Sequence, residues 1–346
     1  MVLGKIIEKV IKLETSLLDN VRSDAEQVYR SGALNCAEAI VHVIKNNYAL
    51  HLPAELLSAA SGFGAGVGGA KCLCSAVSAS VLVLGYFFGR EFPTTITDPQ
   101  SQKAIALSFE LQEALKQENN VHCCYLLTHG VAADVKDSVD DCARRIGISA
   151  VKTVEIIDRE LNVKQKAAYG IGAKPELRAN LKNLKSNKQL RKTVNIRQVQ
   201  YDAEEVFRIG GYYCSEAIVS AIRLNFDPSM PRDLIKAAGG YPIGVGKSRC
   251  MCGAISGAVV ALGYFFGKDT GNDAQCAALC YELQESFRKN HQVTLCCFKH
   301  IEGMDIVNAE HKKQCVAFTG EMAVKTAEII ARELNITLTY DHVGVR

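Results

Sequence analysis

Twelve of the fourteen cysteines in this 346-residue chain fall into two matched sets of six. The first set is Cys36, Cys72, Cys74, Cys123, Cys124 and Cys142; the second is Cys214, Cys250, Cys252, Cys296, Cys297 and Cys315. Each set runs as a lone Cys, a Cys-x-Cys, a Cys-Cys doublet and a last lone Cys. A thiol that only packs is exchanged for Ala, Ser or Val at little cost. Twelve sulfurs held in register between two diverged copies therefore point to chemistry of the sulfur itself, and all twelve are candidate metal ligands.

The local setting agrees with ligation. Cys72/Cys74 and Cys250/Cys252 open helices directly after glycine-rich stretches, and Cys36 and Cys214 stand at the heads of others. A helix N-terminus presents free N–H groups and the positive end of a dipole, which favour thiolate and anionic sulfide. Gly66, Gly68, Gly244, Gly246 and Gly253 are candidate cofactor-binding positions, since glycine lets backbone N–H groups come close to a bound body. Adjacent Cys123 and Cys124 cannot point the same way without strain, so the doublet is expected to split its sulfurs.

Spacing narrows the partner of these thiols. Structural zinc favours C-x₂₋₄-C knuckles, absent from both sets. A c-type haem needs C-x-x-C-H, which does not occur. Ligands spread this widely suit a cofactor gripped between helices, and iron–sulfur clusters accept Cys thiolates in that manner. Iron–sulfur clusters of unknown type are the expected cofactors. Thiol–disulfide exchange and a non-catalytic zinc- or other metal-storage role stand as alternatives.

The elements that position these residues come twice. Leu84-Gly-Tyr-Phe-Phe-Gly89 returns unchanged as Leu262-Gly-Tyr-Phe-Phe-Gly267, an offset of 178 that also relates the first three cysteines of each set. Glu110-Leu-Gln-Glu113 returns as Glu282-Leu-Gln-Glu285 at 172, and the later cysteines and Arg159-Glu-Leu-Asn162 return at 173. The first copy thus carries about six extra residues near 92–102. Helical spacing is legible at Ala33–Tyr48, Tyr213–Asn225, Ile105–Gln117, Ala274–Lys289, Val151–Leu161 and Val324–Leu334. Long apolar helices are expected after the glycine runs 62–69 and 239–246, and Pro53 and Pro231 mark helix starts. No stretch alternates with period two between hairpin turns, so a sheet is not expected. The predicted fold is all-α, two tandem homologous helical domains packed with pseudo-two-fold symmetry, an intramolecular pseudo-dimer. Its parts are an N-terminal amphipathic helix (1–19), a first repeat (20–162), a basic linker (163–200) and a second repeat (201–340).

Composition sets the outer bounds. Apolar residues make up 48% and charged ones 22%, with net charge +3, which gives no global case for nucleic acid. The stretches Leu73–Gly89 and Met251–Gly267 are rich in Ala, Ser and Gly and near the lower length limit for a span, so they read as buried core helices and no membrane association is expected. The amphipathic N-terminus has no signal-peptide pattern, and a cytoplasmic, reducing location is expected. Residues 163–200 hold ten Lys/Arg and one acid. That strip is either a solvated linker with a short helix around Glu176–Lys185 or a docking surface for an acidic redox partner.

The cysteine order resembles that of the C-GCAxxG-C-C family of redox-active proteins, related to the cluster-binding part of split-Soret cytochrome c. The second copy carries the resemblance best, with Cys214-Ser-Glu-Ala217, Cys252-Gly-Ala-Ile-Ser-Gly257, Cys297 and Cys315. The first keeps Cys36-Ala-Glu-Ala39, Cys74, Cys124 and Cys142, but reads Cys74-Ser-Ala-Val-Ser-Ala79, without either glycine. The two sites therefore need not share a geometry or a cofactor. The resemblance implies a helical redox protein with iron–sulfur, transferring electrons or reducing a small molecule; whether it is an enzyme stays open, and if so it is an oxidoreductase. Cys72, Cys123, Cys250 and Cys296 exceed the family pattern.

Other features carry less. Gly64-Ala-Gly66-Val-Gly68 lacks the strand that a dinucleotide fingerprint requires. Glu38 and Glu216 lie two residues after the first Cys of each copy and either exchange protons there or match the helix dipole. Cys276 and Cys280, present only in the second copy, share a helix face and either bind a further metal or pack. The eight His do not match between copies.

Overall fold

The structure is a computed structural model that describes residues 17–49, 51–71, 73–120, 123–128, 136–162, 188–268, 273–292 and 309–343. The expected helix of the N-terminus up to residue 16, and one expected at 176–185, lie outside them. The first half runs α1 (17–30), α2 (Cys36–Asn47), α3 (Ala54–Ser61), α4 (Ser75–Phe88), α5 (Pro99–Asn119), α6 (Cys124–Leu127) and α7 (Lys136–Leu161). The second runs α8 (Ile196–Arg208), α9 (Cys214–Asn225), α10 (Asp233–Ala238), α11 (Gly253–Phe266), α12 (Asp273–His291) and α13 (Ala309–Leu334). Two three-residue strands, β1 (Thr193–Asn195) and β2 (Thr337–Thr339), pair in parallel across the base of the second half. They are the only sheet among the described residues, and too short to show period-two alternation in sequence.

Several boundaries differ from the sequence reading. α7 and α13 start about fifteen residues before the expected Val151 and Val324, which places Cys142 and Cys315 on them. β1 and the start of α8 lie inside the stretch read as linker. There Lys188 Nζ donates to the Tyr264 carbonyl at 2.8 Å, and the Arg191 N–H donates to the Phe226 carbonyl at 2.9 Å. Six of the linker's ten basic residues, from Lys164 to Lys185, are outside the described residues.

α4 and α11 contain no charged residue, and a helix apolar on all sides has to be central. Every residue of α11 is buried, and so is α4 except for Tyr86 and Phe87. α2, α5 and α7 surround α4, as α9, α12 and α13 surround α11. No helix among the described residues is long and apolar enough to cross a membrane.

The halves meet through reciprocal contacts, as a two-fold relation requires. α4 lies on α10 and α11 on α3. A Cβ at Gly85 would stand 2.2 Å from the Ala237 carbonyl oxygen, and one at Gly263, its equivalent, 2.6 Å from that of Ala59. Only glycine permits that approach. Phe63 and Tyr241, again equivalent, stack on each other with centroids 5.4 Å apart and planes 7° from parallel. The pseudo-axis passes between them.

A buried ion pair adds to this seam. Arg90 donates through Nε and Nη2 to the two carboxylate oxygens of Glu216, at 3.0 and 2.8 Å, with 2% and 0% exposure. Arg90 Nη1 also reaches Thr94 Oγ1 and the Thr95 carbonyl, within the stretch inserted only in the first copy. In the other half Glu38 takes the Ser61 hydroxyl at 2.7 Å, and Ser61 Oγ accepts the Lys268 N–H. Both acids also accept the N–H of their helix's N-cap residue, Asn35 or Tyr213. They hold helix starts and the seam between halves.

Candidate functional site

Cys36, Cys74, Cys124 and Cys142 come from four different helices and line one cavity of about 30 Å³. Each position has a local cause. Asn35 accepts the N–H groups of Ala37 and Glu38 and so starts α2 at Cys36. Cys74 is the N-cap of α4 in extended conformation. Cys124 opens α6, fastened by the Tyr125 N–H to the Lys71 carbonyl at 3.1 Å. Cys142 lies on α7 and lines the cavity beside Tyr29. The doublet divides: Cys124 faces the cavity, whereas the Cys123 thiol donates to the Lys71 carbonyl at 3.7 Å.

Between α3 and α4 the backbone makes a left-handed turn. Ala65, Gly66, Val67, Gly68 and Gly69 have φ of 49°, 73°, 61°, 59° and 87°; Ile243, Gly244, Val245, Gly246 and Lys247 repeat this at 56°, 71°, 63°, 61° and 66°. Each non-glycine residue there costs on the order of 1 kcal/mol, most for the β-branched ones. Such strain persists where surrounding structure enforces it, and it gathers at functional sites. Here Ser75 Oγ accepts the Gly66 N–H at 3.0 Å and donates to the Phe63 carbonyl at 2.7 Å, tying the turn to the start of α4. The turn delivers the Ala65 N–H to Cys36 Sγ at 3.4 Å.

The five candidate glycines divide by role. A Cβ on Gly66 would stand 2.9 Å from the Cys124 Cβ, so that glycine does make room at the cavity. Gly244 passes its own loop, at the Arg249–Cys250 backbone. Gly68 and Gly246 instead press on the opposite half, at Tyr281 N and Phe109 N, both 2.5 Å from a would-be Cβ. Both glycines thus serve the seam between the halves: glycine reports a close approach without naming what approaches.

Burial governs the thiols. It pushes Cys74 up to about 12, with the neighbouring Cys36 adding to the rise. Cys124 is raised by burial and then by Cys74, Cys36 and Cys142. Burial raises Cys36 as well, opposed by the nearby Ser75 hydroxyl and by the Ala65 N–H. Mutual electrostatic influence among the four reflects one shared, poorly solvated site.

The second half repeats the frame. Cys214 opens α9, Cys252 is the N-cap of α11, and Cys315 lies on α13. Cys250 and Cys252 are buried. Gly253 makes room for Cys214, whose Sγ would be 2.6 Å from a Cβ there, and Gly257 allows α11 to cross α9 with the Ser215 carbonyl 2.4 Å from a would-be Cβ. Cys72, Cys296 and Cys297 are outside the described residues. Cys280 fits against Gly62 of the first half, its Sγ 2.6 Å from a would-be Cβ, and Cys276 is likewise fully buried on α12.

A family model described as "Putative redox-active protein (C_GCAxxG_C_C)" matches residues 34–156 and, separately, residues 212–329. The chain belongs to the C_GCAxxG_C_C family. No curated protein and no solved structure matches it. Each matched span begins just before the first cysteine and ends beyond the last, so both copies are C_GCAxxG_C_C units and carry the family's redox-active description.

Two cavity residues escaped the sequence reading. Tyr29 and Arg145 line the first C_GCAxxG_C_C site beside the four cysteines. Burial, then the Cys36 and Cys142 thiols, raise the Tyr29 hydroxyl far above its ordinary value, so it stays protonated. At the repeat offsets their equivalents are Phe207 and Phe318. A search for differences between the copies at those offsets would have found both.

Proposed function

We propose that Cys36, Cys74, Cys124 and Cys142 hold an iron–sulfur cluster, that Cys214, Cys252, Cys297 and Cys315 hold a second, and that the protein carries electrons or reduces a small molecule. The observation that supports this is the ring of four thiols from four separate helices around one cavity. Among the described residues no three His, Cys, Asp or Glu side chains are close enough to hold a single metal ion. A lone tetrahedral zinc needs every sulfur about 2.3 Å from one centre. A polynuclear core takes its thiolates from farther apart, so the donor set fits a cluster better than a lone ion.

The raised thiols argue against the exchange alternative. A disulfide oxidoreductase attacks with a thiolate near ambient pH. Cys74 at about 12 supplies almost none. Iron binding reverses that balance, because a coordinated thiol gives up its proton. When bound, a cluster supplies one-electron transfer. The chain's own part is to direct the Ala65 N–H and the starts of α2, α4 and α6 at the anionic sulfurs, and to keep a proton on Tyr29 beside Cys142. The surplus positive charge of residues 163–200 suits an acidic redox partner.

The deciding measurement is iron, acid-labile sulfide and zinc content of anaerobically purified protein, with visible and EPR spectra. Iron and sulfide together, lost in Cys36→Ser and Cys74→Ser, are the expected result. Stoichiometric zinc without sulfide, or a colourless protein active through its thiols, would end the proposal.

A further inference from the structure

Arg145 is the most poorly satisfied charge among the described residues. It projects from α7 one turn after Cys142 and is only 9% exposed. Its Nη2 donates to Asp141 Oδ2 at 3.1 Å, near the surface. Its Nε and Nη1 are buried and make no hydrogen bond within the protein. A guanidinium is always protonated, so it cannot escape burial by losing its charge. Two orphaned donors on a buried cation carry a desolvation cost that native structures rarely leave standing.

The surroundings show where those donors can be used. Arg145 lines the four-cysteine cavity and also a second, smaller one of about 10 Å³ beside it, and Cys74 is common to both. Leu115 and Asn119 line the second cavity as well. No carboxylate lines either cavity, and the guanidinium's one carboxylate partner, Asp141, is more than half exposed on the solvent side, leaving Nε and Nη1 free. Tyr29 lines the four-cysteine cavity as well.

In the other half this arrangement is gone. Leu115, Asn119 and Arg145 correspond to Phe287, His291 and Phe318. Those rings pack on one another, with centroids 4.5 Å (Phe287–His291), 4.6 Å (His291–Phe318) and 5.3 Å (Phe287–Phe318) apart. One copy fills the space with packed rings where the other keeps a cation.

We propose that the first half binds a small inorganic anion at Arg145, next to Cys74, and that the second half does not. The ligand class is a small monovalent anion, one whose acceptor atoms can take both free donors of the guanidinium. The anion's role as a substrate rests on the redox reading of the adjacent thiols; its binding does not.

The test is calorimetric titration of the full-length, anaerobically purified protein with sodium azide and with sodium nitrate, with iron and sulfide measured on every sample. Wild type is expected to bind one equivalent. Arg145→Phe, which copies the sister half, should weaken binding at least tenfold, Arg145→Lys should recover part of it, and Phe318→Leu should leave it unchanged. If Arg145→Phe fails to fold, Arg145→Gln takes its place. Equal affinity in the Arg145 variants, or no binding of either anion by wild type, would overturn the proposal. Loss of iron and sulfide in Arg145→Phe would overturn it too, by assigning Arg145 to the cluster. A wild type without iron would end the cluster reading alone, and the azide titration would still decide the anion site.

Discussion

The two halves share a frame and differ in what fills it. In both, a glycine-rich left-handed turn leads into an uncharged central helix whose N-cap is a cysteine. In the first half the space around that cysteine is bordered by Tyr29, Ser75, Asn119 and Arg145; in the second the same positions are Phe207, Gly253, His291 and Phe318. The shared part is the part that must place sulfurs. The part that diverged governs polarity, so duplication left one copy free to become drier and more tightly packed while the other kept hydrogen-bonding groups. Ring pairs of the kind made by Phe287, His291 and Phe318 contribute roughly 0.5–1.5 kcal/mol each beyond their area burial.

The common frame can be broken most severely at its one-sided ion pair. Arg90→Met leaves Glu216 buried, with its carboxyl already pushed up by burial and only partly restored by Arg90. Removing one partner of a buried pair costs about 3–5 kcal/mol. A urea midpoint within error of wild type would show that the seam does not depend on this contact. Restoring a well-packed neutral pair with Arg90→Met and Glu216→Leu together should recover much of the loss.

The glycine contacts test whether the halves are mechanically equivalent. Gly85→Val and Gly263→Val each drive a side chain into the carbonyl of a short helix opposite. Overpacking of this kind costs about 3 kcal/mol, at the upper end of the usual range because backbone must shift. The two variants should lower the thermal midpoint by similar amounts. A loss confined to one of them would mean the frame is not shared as the reciprocal distances indicate.

How much of this was legible from residues alone follows from what each observation needs. The repeat and the two matched cysteine sets came from identities at fixed offsets, which a common frame preserves, and the helical class from the spacing of apolar residues. The site's polarity came from differences at the same offsets, Tyr29 against Phe207 and Arg145 against Phe318, which a search for matches passes over. The early starts of α7 and α13 were hidden because their first turns are dominated by polar and charged residues such as Asp140, Asp141, Arg144, Lys312 and Lys313, which blur the helical period. Left-handed backbone at Val67, Ile243 and Val245 runs against the preference of β-branched residues, so only the glycines between them hinted at it. Arg90 belongs to no repeat position that carries an Arg in the other copy, where Lys268 stands.

Alkaline pH should separate the metal-free protein from the loaded one. The ordinary thiol value is 9.0, and Cys74 in the fold lies at about 12, so between those limits the folded chain holds a proton that the unfolded chain has lost. Stability contributed by this group is complete below pH 9 and declines as pH rises toward 12. Cys36 and Cys124, raised in the same direction, steepen the decline. Urea unfolding of metal-free protein at pH 8, 9, 10 and 11 should show a falling midpoint, and Cys74→Ala should flatten part of it. An unchanged slope in that variant would mean that the first-half thiols are better solvated than their burial indicates.

The smallest effect bears most directly on the contrast between the two linings. Phe318 is buried against Phe287 and His291, and His291 Nε2 lies 2.7 Å from Glu321 Oε2. Phe318→Leu keeps an apolar side chain of lesser volume and forfeits two ring contacts, for a loss of about 1 kcal/mol. If the second half is dry because its rings fill it, this change alone should open space without admitting an anion, since no guanidinium stands there. Phe318→Arg adds the cation and should gain azide affinity only if the space that Phe287 and His291 occupy can be vacated. A gain in Phe318→Arg with Phe287→Leu, and none in Phe318→Arg alone, would show that packing and charge both had to change for the halves to part.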